Sequence, residues 1–194
     1  GKTETAQLII QSSKDFGIDL NAKNNDGWTA WHLACFKGKT ETAQLILKSS
    51  KDFGIDLNAK NNIGSTAWHL ACSHGQTETA QLLIQSSRDF GIDLNAKNDY
   101  GNTAWHEACE YGQTETAQLL IQSSKEFGID LNAKDKFGGT AWHEACSNGK
   151  TETAQLIIQS SQEFGIDLNA EDNNGMTAWH VSCRYGKTET AKLI

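Results

Sequence analysis

The apolar residues near the start of the chain recur at helical spacing. Gly17 follows the stretch TETAQLIIQSSKDF and ends the predicted amphipathic helix. Ile18 and Leu20 then alternate with polar residues before a cluster of Asn, Asp and Gly, which predicts an extended segment and a turn. The side chains that fall on one face of the helix are Ala6, Ile9, Ile10, Ser13 and Phe16.

A shorter apolar stretch, TAWHLACFKG, comes after the turn. Thr29 can cap the first amides of a helix, Ala30 is a strong helix former, and Gly38 ends the segment. The stretch therefore predicts a short helix. The order of elements is a short helix, a longer helix and then an extended segment with a turn.

This order of elements repeats every 37 residues, and the period is marked by glycines that precede Lys or Gln and then TETA. A fixed period of this length predicts a solenoid, in which each unit packs only against its neighbours. We therefore expect a single domain over residues 1–194, with four full repeats between two partial ones. The predicted repeats are 1–18 (partial), 19–55, 56–92, 93–129, 130–166 and 167–194 (partial).

Composition narrows the possible functions. The chain has 17 basic and 24 acidic residues, and its net charge of -7 argues against nucleic-acid binding. Since no run of about 18 apolar residues occurs, a membrane span is not expected. Each period contains one cysteine without a close partner, so we expect buried, reduced thiols in the cytoplasm. These cysteines are Cys35, Cys72, Cys109, Cys146 and Cys183.

The whole chain resembles the ankyrin repeat family. TAWHLA at 29–34 matches the family's TPLHxA signature, Gly27 and Gly38 match its turn and inter-helix glycines, and DLNA at 19–22 matches its DVNA-like segment. The resemblance implies an all-α repeat solenoid of helix–loop–helix units with projecting β-turn or hairpin loops. The signature residues are Thr29, Trp31, His32, Thr66, Trp68, His69, Thr103, Trp105, His106, Thr140, Trp142, His143, Thr177, Trp179 and His180.

The chain departs from the family pattern in three ways. Each unit is four residues longer, which predicts a second helix extended by about one turn. Alanine replaces the signature proline, and tryptophan replaces the signature leucine. Our hypothesis is that the indoles fill the extra volume beside the longer helix together with one phenylalanine per unit. These phenylalanines are Phe16, Phe53, Phe90, Phe127 and Phe164.

Three motifs suggest chemistry, but each favours a structural role. The five TAWH histidines are about one helix-packing distance apart, too far to share a metal ion. The resemblance implies that they hydrogen-bond locally and to the neighbouring unit. GKT at 38–40 lacks the second glycine of a phosphate loop. HEACE at 106–110 is similar to the zinc-binding motif HExxH, but Glu110 stands where that motif has its second histidine. We therefore expect no enzyme activity, catalytic residue, metal site or cofactor.

The resemblance also implies a modification. Ankyrin repeats are substrates of an asparaginyl hydroxylase that acts on the DVNA-like asparagine. That enzyme favours a leucine eight residues upstream, where this chain has Ser13 in its first copy. The matching asparagines are Asn21, Asn58, Asn95, Asn132 and Asn169.

The repeats differ mainly at the turns and on one side of the short helix. In the family, these positions form the concave surface that binds partner proteins. The six aromatic residues outside the repeated Trp and Phe all fall at varying positions, whereas neutral drift on a solvated surface would favour polar residues. The predicted partner-binding residues are Asp26, Trp28, Phe36, Lys37, Ile63, His74, Asp99, Tyr100, Glu107, Glu110, Tyr111, Phe137, Glu144, Met176, Arg184 and Tyr185.

The sequence therefore predicts a protein-interaction module. The varying positions hold more acids than bases, so a partner protein or peptide with a basic segment beside an apolar anchor would suit the surface. An engineered ankyrin-repeat scaffold without a natural partner is the alternative. Because both ends of the chain lie within a repeat, we also expect end-to-end self-association.

Overall fold

The computed structural model describes residues 2–194 of the 194-residue chain, apart from the side chain of Lys2. The described part is helical, and no β-strand occurs within it. Its helices are α1 (Lys2–Phe16), α2 (Ala30–Phe36), α3 (Thr40–Phe53), α4 (Ala67–Ser73), α5 (Thr77–Phe90), α6 (Ala104–Tyr111), α7 (Thr114–Phe127), α8 (Ala141–Ser147), α9 (Thr151–Phe164), α10 (Ala178–Arg184) and α11 (Thr188–Ala191).

The helices form two parallel rows. The short helices α2, α4, α6, α8 and α10 pack side by side, and the longer helices α1, α3, α5, α7, α9 and α11 form the second row. Each short helix also packs against the longer helix that follows it. This is the predicted all-α repeat solenoid, and the 14-residue length of α3 shows that the extra residues extend the second helix.

A threonine and a histidine begin each short helix. In α2, the Nδ1 atom of His32 accepts the backbone N–H of Thr29 at 3.2 Å, with the Thr29 hydroxyl 2.9 Å away. Because Nδ1 is an acceptor, the proton is on Nε2, which donates to the carbonyl of Ser65 in the next repeat at 3.2 Å. The histidine therefore caps its own helix and joins two repeats, as the resemblance implied.

Four of the five repeated tryptophans lie in the core between repeats. Trp105 is buried, and its indole Nε1 donates to the carbonyl of Leu131 in the next repeat at 3.1 Å. Trp31, Trp68 and Trp142 make the equivalent bond to the next repeat. The predicted core role is thus confirmed for these four.

The expectation was wrong for Trp179 and for Phe16. Trp179 is 46% exposed and Phe16 is 78% exposed, because no further repeat of this chain covers either of them. The remaining phenylalanines are only partly buried at the edge of the core. A cation from the preceding repeat lies over each ring, as Lys14 Nζ does 4.9 Å from the centre of Phe53.

The turns that precede the short helices are closed by side-chain and backbone hydrogen bonds rather than by strands. In the turn at 61–65, Asn61 donates its N–H to the Ser65 carbonyl at 2.9 Å, and its Oδ1 accepts the Ser65 N–H at 2.9 Å. Gly64 adopts a φ of +74°, and a Cβ atom there would lie 2.7 Å from the backbone nitrogen of Asp99. Glycine is therefore required where adjacent turns approach each other.

Candidate inner face formed by turns and short helices

Adjacent turns are joined by one backbone hydrogen bond per repeat. Asn62 donates to the carbonyl of Asp26 at 3.1 Å, and Asp99 donates to the carbonyl of Ile63 at 3.0 Å. Lys136 and Asn173 continue the series with the carbonyls of Tyr100 and Phe137. These bonds hold the turn tips in a row, so the side chains at the tips have a fixed spacing.

The tips of three consecutive turns carry apolar side chains. Ile63, Tyr100 and Phe137 are all exposed, and Phe137 is the most open at 67%. Together with the exposed side of the short helices, the tips form a surface that we call the inner face. It contains the turn residues that follow Asn24, Asn61, Asn98, Asp135 and Asp172 and the varying residues of α2, α4, α6, α8 and α10.

Two cavities along the inner face bring tip and helix residues together. A cavity of 300 Å³ lies between α6, α8 and the turn tips, and we call it the central cavity. The second cavity, of 630 Å³, extends from there to Tyr185 and Arg184. The central cavity is lined by Ile63, Asn98, Tyr100, Asn102, Glu107, Glu110, Tyr111, Asp135, Phe137 and Glu144. The two cavities share Glu110, Asp135, Phe137 and Glu144 and so form one continuous groove.

The glutamates of the central cavity interact unfavourably with one another. Burial, together with the charges of Glu110 and Glu144, raises the pKa of Glu107 to about 7. Burial and the charges of Glu110 and Asp135 raise the pKa of Glu144 to about 7 as well. The pKa of Glu110 is raised by burial and lowered by nearby Lys150. The cavity thus holds negative charge that the folded chain itself compensates only in part.

In the first repeats of the inner face, the aromatic side chains pack against one another. Trp28 packs edge-on against Phe36, with ring centres 4.9 Å apart, and Phe36 packs against His74 at 4.2 Å. Lys37 Nζ lies 4.6 Å from the centre of the Phe36 ring. Trp28 and Phe36 are consequently half-buried rather than freely exposed. They stabilise each other and offer only part of their surface to a ligand.

The structure divides the predicted binding residues between the groove and its surroundings. The groove contains Ile63, Tyr100, Glu107, Glu110, Tyr111, Phe137, Glu144, Met176, Arg184 and Tyr185. Asp26, Trp28, Phe36, Lys37, His74 and Asp99 line neither of its cavities.

Three lining residues of the central cavity are missing from the sequence-based set: Asn98, Asn102 and Asp135. Asn98 and Asp135 have the chemistry of ordinary turn residues, which conceals any further role. Asn98 accepts two backbone N–H groups of its turn and also donates to Glu107 Oε1 at 2.8 Å. Variation between repeats was the one signal for Asn102, whose matching residues are Trp28, Ser65, Gly139 and Met176.

The repeated histidines and cysteines serve the fold. Within residues 2–194, no group of three or more His, Cys, Asp or Glu side chains is placed to hold a metal ion. Burial lowers the pKa of His69 to about 4, so this ring is neutral at physiological pH. Four cysteines are buried, and burial raises the pKa of the Cys72 thiol well above its usual range. The expectation of burial was wrong for Cys183, which is exposed in the last repeat.

The DLNA asparagines brace adjacent loops. Asn58 donates its side-chain Nδ2 to the carbonyl of Gly91 at 2.7 Å, and its Oδ1 accepts the N–H of Asp93 at 3.1 Å. Asn21, Asn95 and Asn132 make the same pair of bonds. A hydroxylase would therefore have to release this amide from its inter-repeat contacts, and modification stays a prediction.

Comparison with known families agrees with this architecture. The family model "Ankyrin repeats (3 copies)" matches residues 51–135 and 125–194, and "Ankyrin repeats (many copies)" matches residues 1–47. The chain belongs to the ankyrin repeat family. Ankyrin repeats generally mediate protein–protein interactions, and the proteins that contain them are typically non-enzymatic scaffolds. A search of curated protein sequences returned no significant match.

Among the helices of residues 2–194, none combines the length and the apolar character that crossing a membrane requires.

Proposed function

We propose that this ankyrin array binds a partner protein or peptide on its inner face. The observation that carries the proposal is the distribution of exposed apolar side chains. Between residues 20 and 178, every large hydrophobic residue that is exposed lies at a turn tip or on a short helix. These residues are Leu33, Ile63, Tyr100, Tyr111 and Phe137. Exposed aromatic side chains in one groove are typical of protein interfaces, where they act as anchors.

The opposite surface supports the same assignment. The longer helices expose glutamines at matching positions, such as Gln81 and Gln118, and these residues are the same in successive repeats. A surface that is polar and nearly constant offers no apolar anchor. The differences between repeats are therefore concentrated where a partner would make contact.

Charge favours a partner with a basic segment next to an apolar one. Four carboxylates line the central cavity, and Tyr100, Tyr111 and Phe137 surround them. Complementary charge would guide association, while the aromatic side chains would supply most of the affinity. We propose a binding role without catalysis in a reducing intracellular compartment, which the free, buried cysteines support.

The proposal is tested by capture of partners with two matched variants. The inner-face variant is Tyr100→Ala/Tyr111→Ala/Phe137→Ala, and the control is Gln81→Ala/Gln118→Ala/Gln122→Ala on the exposed side of the longer helices. A protein captured from cell extract is purified and its affinity measured by calorimetry. We expect the wild type and the control to bind it equally and the inner-face variant to lose binding. Equal loss by both variants, or retention by both, would refute the proposal.

We also propose that the isolated polypeptide of residues 1–194 associates end to end. Trp179 is exposed near one end, and an apolar cavity of 110 Å³ at the other end is lined in part by Ile9, Ile10 and Trp31. Each end thus presents a surface like those that repeats bury against one another. Sedimentation velocity should show concentration-dependent oligomers that Trp179→Ala weakens. A monomer at all concentrations would contradict this.

A further inference from the structure

The central cavity differs from the rest of the groove because its lining contains acceptors without cations. Its residues include four carboxylates and two asparagines, but no Lys, Arg or His. The adjoining cavity, in contrast, includes Arg184, Lys187 and His143. The middle of the inner face is therefore the place where a positively charged group from outside would find the strongest complementarity.

Part of this acceptor capacity is already used within the chain. Asp135 Oδ1 accepts the N–H groups of Phe137 and Gly139 at 2.7 and 2.8 Å, which fixes its turn. Glu107 accepts one hydrogen bond from Asn98, and Glu144 Oε2 accepts one from Asn148 at 3.2 Å. A carboxylate can accept about four hydrogen bonds. Glu107 and Glu144 therefore keep free acceptor positions.

Asn102 provides the second, independent indication of a ligand. The residue is only 8% exposed, it lines the central cavity, and its Oδ1 has no hydrogen-bond partner among the described residues. A buried acceptor without a donor destabilises the folded chain, because its hydrogen bonds to water are lost and not replaced. The fold does not need this amide, because Ser65 and Gly139 occupy the matching position in the neighbouring repeats. This oxygen is itself shielded from solvent, so the amide has to turn towards the cavity before a donor from a ligand can satisfy it.

The walls of the cavity restrict the shape of that ligand. Tyr100, Tyr111 and Phe137 present exposed aromatic rings around the carboxylates. A guanidinium group is flat, stacks on aromatic rings and carries five N–H donors, whereas an ammonium group is a compact point charge with three donors. Several separate acceptors between aromatic walls therefore suit arginine better than lysine.

We infer that the central cavity binds an arginine side chain of the partner, with Glu107, Glu144 and Asn102 as acceptors. This inference rests on the proposed partner-binding function and specifies the chemistry of the partner. Burial and neighbouring acids raise the pKa of both glutamates, so an incoming cation relieves repulsion that already exists in the folded chain.

The test uses three small probes: N-acetyl-arginine amide, the corresponding lysine amide and the corresponding citrulline amide. Citrulline keeps the shape of arginine but is neutral. The probes are titrated into the folded 194-residue chain, and binding is followed by heteronuclear NMR. We expect the arginine probe to bind most tightly and the citrulline probe to give no saturable shifts. Citrulline or lysine binding as tight as arginine binding would overturn the inference.

Two Glu→Gln variants of equal charge localise the site. Glu107→Gln/Glu144→Gln should weaken binding of the arginine probe by about tenfold or more, because hydrogen bonds to charged partners are lost. Glu78→Gln/Glu115→Gln removes the same charge from exposed positions on α5 and α7 and should leave binding unchanged. Equal weakening by both variants would show general electrostatic attraction and refute a specific site.

Asn102→Ser tests the unpartnered acceptor. Because Ser65 occupies the matching position, this variant should fold normally, and we expect about threefold to tenfold weaker binding of the arginine probe. Unchanged binding would remove Asn102 from the site. If the probe does not bind although Tyr100→Ala/Tyr111→Ala/Phe137→Ala still abolishes partner capture, the cavity assignment fails while the proposed function stands. If that variant keeps the partner, the proposed function itself fails.

Discussion

Two faces of the same helix, α6, have opposite properties. Trp105 lies on the side that faces the next repeat, where it is buried and donates a hydrogen bond to Leu131. Tyr111 ends the same helix but is 52% exposed at the central cavity. The tryptophan recurs in all five TAWH stretches, whereas the position of Tyr111 varies and holds Lys37, His74, Asn148 and Tyr185 in the other units. In our proposal, folding and recognition use different sides of one short helix.

The neighbouring residues His106 and Glu107 show the same contrast in their electrostatics. Burial lowers the pKa of His106 and, with two neighbouring acids, raises the pKa of Glu107, so burial disfavours the charged form of each. Both ring nitrogens of His106 have partners, in Thr103 and Gly139. Glu107 has one donor, Asn98, and faces other acids. Hydrogen bonds thus compensate fully for the burial of His106, which belongs to the core between repeats. They compensate only in part for the burial of Glu107 on the inner face.

The largest effect that would sharpen this comparison is expected from Trp105→Ala. Removing a buried indole leaves a cavity in the core, so the free energy of unfolding should fall by about 3–5 kcal/mol. Urea unfolding monitored by circular dichroism measures this loss. Trp179→Ala is the matched control because Trp179 is 46% exposed, and it should have a clearly smaller effect. Equal losses would show that the repeated tryptophan does not act through burial between repeats.

A smaller loss of stability is expected when His69 is protonated at low pH. Its pKa is about 4 in the folded chain, below the ordinary value of 6.5, so the unfolded chain binds the proton more readily. Its contribution to stability is therefore present above pH 6.5 and is lost as the pH falls towards 4, by about 3 kcal/mol in all. His69→Ala should be less stable at pH 7 and should lose this part of the pH dependence. An unchanged pH dependence in the variant would contradict the assignment.

Glu107 should show the reverse pH dependence. Its pKa is about 7 when folded and 4.5 in the unfolded chain, so the folded chain loses stability as the pH rises from 4.5 through 7. Its pKa is raised by burial and by the charges of Glu110 and Glu144, and it is lowered by the hydrogen bond from Asn98. Glu107 in turn helps to raise the pKa of nearby Tyr111. Glu107→Gln should therefore raise the free energy of unfolding by about 1 kcal/mol at pH 8 and change it little at pH 4.

Glu115→Gln is the control for that experiment, since Glu115 is exposed on α7. It should have little effect at either pH. If Glu107→Gln destabilises the array at pH 8, the carboxylate contributes to the fold, and the inner face is not separate from the framework.

The sequence predicts the fold well because the same residues recur at the same positions of each repeat and make the same contacts there. Trp68 and His69 sit between two neighbours of known sequence, so their burial follows from the repeat itself. The same reasoning failed for Phe16, Trp179 and Cys183, whose repeats lack a neighbour on one side within this chain. Position in the array, and not residue type, decides their exposure.

The inner face was predicted less completely. Variation between repeats identifies Tyr100, Tyr111 and Glu107, because a position that is free to change is not needed for packing. It does not show that Trp28 and Phe36 contact each other, because that contact depends on the rotamers of two varying side chains. Asn98 and Asp135 were missed because their position holds only Asn or Asp in every turn, so variation between repeats does not single it out.

The most direct test of the separation between folding and recognition is a pair of measurements on Tyr111→Ala. The free energy of unfolding should change by less than about 0.5 kcal/mol, because Tyr111 is a surface side chain. Binding of the captured partner should weaken by about 1–3 kcal/mol, because an aromatic anchor is lost. Undiminished binding, or a loss of stability comparable to that of Trp105→Ala, would contradict the account.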